Sequence, residues 1–236
     1  MPHDHTVSAY DKELESLREI IARMGGIAES QIAEAVDVLY KRDREAAKLV
    51  IAADKQLDEL EMQLERDAIT IIAKRQPMAA DLRAIVSALK MSSDIERIGD
   101  YAKNIAKRVE AISSGEVRIV RTIGNMALLV QKMLKDLLDA YVDNDADKAF
   151  DVWVRDEAVD ELNNSMFREL LTYMMEDPRE VTAATHLLFV SKNIERIGDH
   201  VTNMAEIVYY LVKGEVLTDD RPKNDMSSYT IVSNDT

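Results

Sequence analysis

At 236 residues, with a net charge of −14 and no cysteine, the chain can bury a sizeable core but cannot hold a disulfide framework, a zinc–thiolate site or an iron–sulfur cluster. Its 44 acidic residues against 30 basic ones argue against nucleic acid and against tight docking to anionic lipid, because both would meet like charge with no basic stripe to interrupt it. Only 7 Gly, 4 Pro and 5% aromatics occur, so the composition is that of helices.

The opening "MPHDHTVSAYDKELESL" has no apolar core and does not read as a signal peptide. Residues 1–7 are expected to be flexible, with His3 and His5 in a tail. No run approaches the ~20 apolar residues of a membrane span, and a cytoplasmic protein is expected. The first helix is predicted over 8–42, on the stripe Leu14, Leu17, Ile21, Met24, Ala28, Ile32, Ala35 and Val38. The second, 44–74, carries Leu57, Leu60, Leu64 and Ile71. The third, 79–113, carries Ile98, Ala102, Ile105, Val109 and Ile112. "SSGE" at 113–116 ends this half. Helices over 117–143, 146–175 and 180–213 follow, with turns at "DNDAD" and "EDP". The tail from 218 is polar and aperiodic and reads as disordered.

The two halves repeat. "IERIGD" occurs at 95–100 and again at 194–199; "ADKQLDEL" at 53–60 resembles "RDEAVDEL" at 155–162; "KRDREAA" at 41–47 resembles "DNDADKA" at 143–149. The expected architecture is all-α: two tandem three-helix bundles, six long antiparallel helices, over 1–115 and 116–217 with the tail at 218–236.

Each hexapeptide holds an acid pair at i and i+4, Glu96 with Asp100 and Glu195 with Asp199, on one helix face. Asn104 and Asn203 follow four residues later. Each second helix has its own pair, Asp54 with Asp58 and Asp156 with Asp160. Asp58 and Glu96 are equidistant from Pro77, as are Asp54 and Asp100. In the second half both corresponding pairs centre on the turn at Asp177–Pro178. Folding back each helix pair therefore brings four carboxylates level. Leu82, Val86 and Leu89, in line with Glu96 and Asp100, are expected to be buried. Converging carboxylates need a cation, and oxygen donors suit Mg²⁺, Mn²⁺, Ca²⁺ or iron, with Asn104 and Asn203 as possible amide ligands. Gly99 and Gly198 would admit a neighbouring backbone or an ion with its waters. A single i, i+4 acid pair is ordinarily a solvated face; the duplication and the apparent burial favour a site. Arg97 and Arg196 are expected to pair with acids on neighbouring helices. His186 and His200 read as surface or core residues, the methionines as core filling, and Trp153 as a packed aromatic.

"SSDIERIGDYAKNIAK" at 92–107 and "SKNIERIGDHVTNMAE" at 191–206 are similar to the two signature segments of the PhoU family, and the likeness spans about 8–213. The resemblance implies a negative regulator of the phosphate-starvation response, linking the ATPase subunit of a phosphate ABC transporter to a PhoR-type sensor histidine kinase. It also implies metal ions, Mg, Mn or Fe, at Glu96, Asp100, Glu195 and Asp199. Asp54, Asp58, Asp156 and Asp160 join that set from the register argument alone. A homodimer is compatible with the long apolar faces. No enzymatic activity is expected: a ferritin-like di-metal enzyme needs Glu-x-x-His pairs, which are absent, and neither a phosphate loop nor a nucleophile motif occurs. A metal-free helical scaffold is the remaining alternative.

Overall fold

The computed structural model describes residues 3–112 and 117–218. Among them the chain forms α1 (His3–Lys41), α2 (Arg44–Ala53), α3 (Lys55–Arg75) and α4 (Ala80–Lys107), then α5 (Val117–Asp143), α6 (Ala146–Val154), α7 (Asp156–Glu176) and α8 (Val181–Lys213). Helix α1 starts at His3, earlier than expected, so His3 and His5 lie in its first turns rather than in a tail. The "SSGE" boundary and nearly all of the expected disordered tail fall outside the described residues.

The apolar stripes close into the core as their spacing requires. Ile21, Met24, Ile32, Leu57, Leu64, Ile98 and Ile105 are all fully buried. The second helix of each half is not continuous. It bends at Asp54 and at Arg155, where i to i+3 bonds tighten the backbone: Leu57 N–H to Asp54 O at 2.9 Å, and Ala158 N–H to Arg155 O at 3.1 Å.

The repeat extends to the turns. α1 and α5 both end in a residue of left-handed conformation, Arg42 (φ 56°) and Asn144 (φ 52°). The next residue donates back across the turn, Asp43 N to Val38 O at 3.0 Å and Asp145 N to Ala140 O at 2.9 Å. Asp43 and Asp145 then cap α2 and α6 through their carboxylates. The turns before α4 and α8 differ. The first runs through Gln76 and Ala79, both at positive φ; the second is a 3₁₀ turn starting at Pro178.

The two three-helix units are packed together on one hydrophobic core, with α1 against α5 and α4 against α8. The α4–α8 pair runs antiparallel. Arg83 stacks on Tyr210 at one end, Arg196 on Tyr101 in the middle and Arg108 on Phe189 at the other end. The two hexapeptides therefore pass each other in opposite directions at the centre of the molecule. Gly25, inside α1, lets α5 come close: a Cβ there would stand 2.5 Å from the Leu138 methyls.

Candidate acid sites on the two repeats

The carboxylates of the first half come from the α2–α3 bend and from one face of α4. Asp54 is 5% exposed at the bend. Lys103, one turn beyond Asp100 on α4, holds both: its Nζ donates to Asp100 Oδ1 at 2.7 Å and also to Asp54 Oδ2. Burial opposes the charge on Lys103, but the bonds to Asp100 and Asp54 outweigh it and raise the lysine above its ordinary range. Glu96 lies among Asp100, Glu61 and Asp58. Burial and then the Asp100 charge push its carboxyl upward, against the pull of Arg97. Glu61 is likewise raised, by burial and by Glu65. Asp58 is half-buried.

In the second half Asp156, Asp160 and Glu195 are all buried, and Asp199 is half-buried. Thr202 Oγ1 donates to Asp156 Oδ1 at 3.1 Å and to Gly198 O at 3.0 Å. Lys192 Nζ donates to Glu195 Oε1 at 2.8 Å. Each half thus sets one lysine on its acids from α4 or α8, Lys103 three residues after Asp100 and Lys192 three residues before Glu195.

Other expected residues lie elsewhere. Asn104 accepts from Lys107 at 3.3 Å on its own helix. Asn203 lines a cavity between α4 and α8 with Val86, Ser87, Lys90 and Tyr210. Leu82 and Val86, expected inside, are 39% and 38% exposed. Alignment over two heptads drifts by roughly 40° on a helix, and Val86 borders the outward-facing cavity. Arg97 meets Glu96 and Asp100 of its own helix at 3.6 Å and reaches Glu61 of α3 only through its charge, and Arg196 covers the Tyr101 ring. His200 Nδ1 pairs with Asp94 at 2.7 Å across α4 and α8, and His186 meets Arg108 at 3.2 Å. Trp153 is buried and donates to Glu206 at 3.0 Å. The glycines serve packing. A Cβ on Gly99 would collide with Leu57 and stand 2.9 Å from Gln31 Oε1; on Gly198 it would lie 3.3 Å from Val159.

Lys103, Lys192, Thr202, Glu61 and Gln31 were not singled out from sequence. The lysines carried a readable signal, since three-residue spacing puts each on the face of an acid. Gln31 carried one too, as a polar residue adjoining the apolar stripe of α1. Among the described residues no three His, Asp or Glu side chains converge tightly enough to hold a metal ion. In the first half an ammonium already occupies the place between Asp54 and Asp100. In the second half three carboxylates are buried, with the Thr202 hydroxyl on Asp156 and the Lys192 ammonium on Glu195, but they are not drawn together into a closed ligand set.

The fold and these acid sets define a class: an all-α protein built from two copies of an acid-bearing three-helix unit. The PhoU domain model matches both copies, over residues 21–109 and 123–208. The "phosphate-specific transport system accessory protein PhoU homolog" of Caulobacter vibrioides is 52% identical over 95% of this chain and 99% of its own length. The homolog of the same name from Rhizobium meliloti is 47% identical over 97% of each chain. Among solved structures, PhoU from Pseudomonas aeruginosa superposes with a TM-score of 0.82 at 39% identity, covering 87% of this chain and all of that one. The phosphate transport system regulatory protein PhoU from Streptococcus pneumoniae superposes at 0.81 with 28% identity, covering 88% of this chain and 99% of that one. The chain belongs to the PhoU family. Among the described residues no helix is long and apolar enough to cross a membrane.

Proposed function

We propose that this chain is a regulatory accessory protein of phosphate-specific transport and a negative regulator of the phosphate-starvation response, acting by binding and not by catalysis. The observation that carries this reading is the PhoU-domain match in both halves, together with relatives of that name spanning nearly the whole chain. Its partners are the ATPase subunit of a phosphate ABC transporter and a PhoR-type sensor kinase, both reached from the cytoplasm. Such a regulator shifts an equilibrium only by binding one state of its partner better than the other. The rigid paired repeat suits that task, because α4 and α8 are locked on a shared core and present a preformed surface.

Were a hard cation, magnesium, manganese or iron, to bind the second half, Asp156, Asp160, Glu195 and Asp199 would have to draw closer together to hold it. Such an ion would supply positive charge to buried carboxylates. Thr202 and Lys192 orient Asp156 and Glu195.

The test is a strain lacking the gene, carrying a phosphate-starvation reporter and grown with ample phosphate. Wild-type chain is expected to silence the reporter and to co-purify with the transporter ATPase and the kinase. A reporter that stays silent without the chain would sink the proposal. Asp160→Asn with Asp199→Asn separates the alternatives. Loss of regulation together with bound metal supports the cation reading, and retention of regulation supports the metal-free scaffold.

A further inference from the structure

The family resemblance puts a metal ion on each motif, but the two halves treat their carboxylates differently. Lys103 Nζ bonds Asp100 at 2.7 Å and also bonds Asp54. Asp54 is almost wholly buried, and the lysine side chain is 24% exposed. An ammonium in direct contact with two carboxylates already supplies the charge and the donors that an ion would supply. A divalent ion would have to break two charge-assisted hydrogen bonds and then share a small space with a like charge. The glycine of this motif offers no extra room either, because Leu57 and the Gln31 amide cover Gly99. The repeat-equivalent of Lys103 is Thr202, a neutral hydroxyl that donates one bond to Asp156 at 3.1 Å.

We infer that Lys103 is the resident cation of the first acid set, so that in this chain the first motif is closed by its own side chain and does not take a metal ion. Removing the ammonium changes the chemistry of the place. Asp54 then loses its ammonium, and Asp100 keeps Arg97 at 3.6 Å. Gln31 is 3% exposed, its amide atoms have no hydrogen-bond partner, and it stands beside Asp54 at Gly99. Two carboxylates and an amide oxygen are hard donors of the kind that bind Mn²⁺ or Mg²⁺. The contrast with the second half rests on the functional reading above; the ion count at the first half does not.

The experiment is titration of Mn²⁺ into chelator-stripped, full-length protein, with bound manganese counted by elemental analysis after gel filtration. Asp100→Asn is expected to bind as many ions as wild type. Lys103→Thr, which gives the first half the residue of the second, is expected to bind one ion more, and Asp100→Asn added to it is expected to remove that ion. A count that falls on Asp100→Asn in the wild-type background overturns the inference. So does a folded Lys103→Thr protein, checked by circular dichroism, that gains no ion. If Lys103→Thr does not fold, the Asp100→Asn count alone decides: unchanged upholds the inference, lower overturns it. Failure of the phosphate-signalling role would appear in the reporter strain and leave these counts unaffected.

Discussion

The two halves share the turns that follow α1 and α5, the glycine pair Gly99 and Gly198 and their hexapeptide, yet they solve the same electrostatic problem differently. In the first, the bend residue of the second helix is an acid, Asp54, held by a lysine from α4. In the second, the bend residue is a base, Arg155, held by Asp136 at 2.5 Å and by Asp151, while the acid one place further on, Asp156, takes a neutral hydroxyl. The aligned acids Asp54 and Asp156 are therefore kept, while the bend moves by one residue, from Asp54 to Arg155. Each bend is tied to a neighbouring element through a charged side chain, acidic at Asp54 and basic at Arg155.

Lys103→Met puts this contrast under the most strain. It takes the ammonium from Asp54 and is expected to cost about 3 kcal/mol. Thr202→Val, its counterpart, removes a hydrogen bond to Asp156 and is expected to cost about 1 kcal/mol. Urea unfolding of both variants compares them; equal costs would mean that the first half does not depend on its lysine.

Next comes packing at the paired glycines. Gly99→Ala meets Leu57 and Gln31, and overpacking is expected to outweigh the helix propensity gained, for a net loss of about 1–2 kcal/mol. Gly198→Ala meets Val159 at 3.3 Å, a contact eased by a small shift, and should stay within about 0.5 kcal/mol of wild type. Thermal unfolding distinguishes them, and a Gly99→Ala protein as stable as wild type would show that Leu57 can move aside.

The cap substitutions Asp43→Ala and Asp145→Ala should agree with each other, at about 1 kcal/mol each, because both turns have the same geometry. A large difference would show that the halves diverge in their turns as well as in their charges.

The smallest effect is one of pH. The folded-state pKa of Glu96 is raised, so the native state holds that proton more tightly than the unfolded chain does. Its carboxylate costs stability above the raised pKa, and the cost is relieved as pH falls through that value toward the unfolded one. Asp136 in the second half has the opposite sign. Burial would raise it, but Arg155 and Lys132 lower it, so it contributes stability that is lost as pH falls through its depressed value. Glu96→Gln should therefore stabilise at pH 8 and lose that advantage near pH 4, whereas Asp136→Asn should destabilise at pH 8 and lose its penalty in acid. Chemical unfolding from pH 8 down to well below 3.8, the ordinary Asp value, reads both signs.

Much of this was legible from residue spacing. The stripes on α1, α3 and α4 predict the core because 3.6-residue periodicity maps directly onto burial. The duplicated linkers predict matched turns, which depend on local capping chemistry. What spacing could not deliver were the cross-helix partners. Equidistance from Pro77 aligns Asp54 with Asp100, yet it says nothing about the lysine that comes between them, because a long side chain reaches several ångströms from its own backbone. The exposure of Leu82 and Val86 depends on where α8 crosses α4, which no local pattern encodes. Arg97 prefers acids of its own helix for the same reason: its neighbours in space are set by tertiary packing.

The covalent join between the halves has a consequence for how they can change. In a symmetric pair of separate subunits every substitution appears twice, at equivalent places. A lysine that suited one acid pocket would be imposed on the other. Here one gene encodes both pockets at independent codons, so the first can carry Lys103 where the second carries Thr202, without compromise. Tandem fusion frees each copy to acquire its own chemistry while the shared core keeps both in one shape.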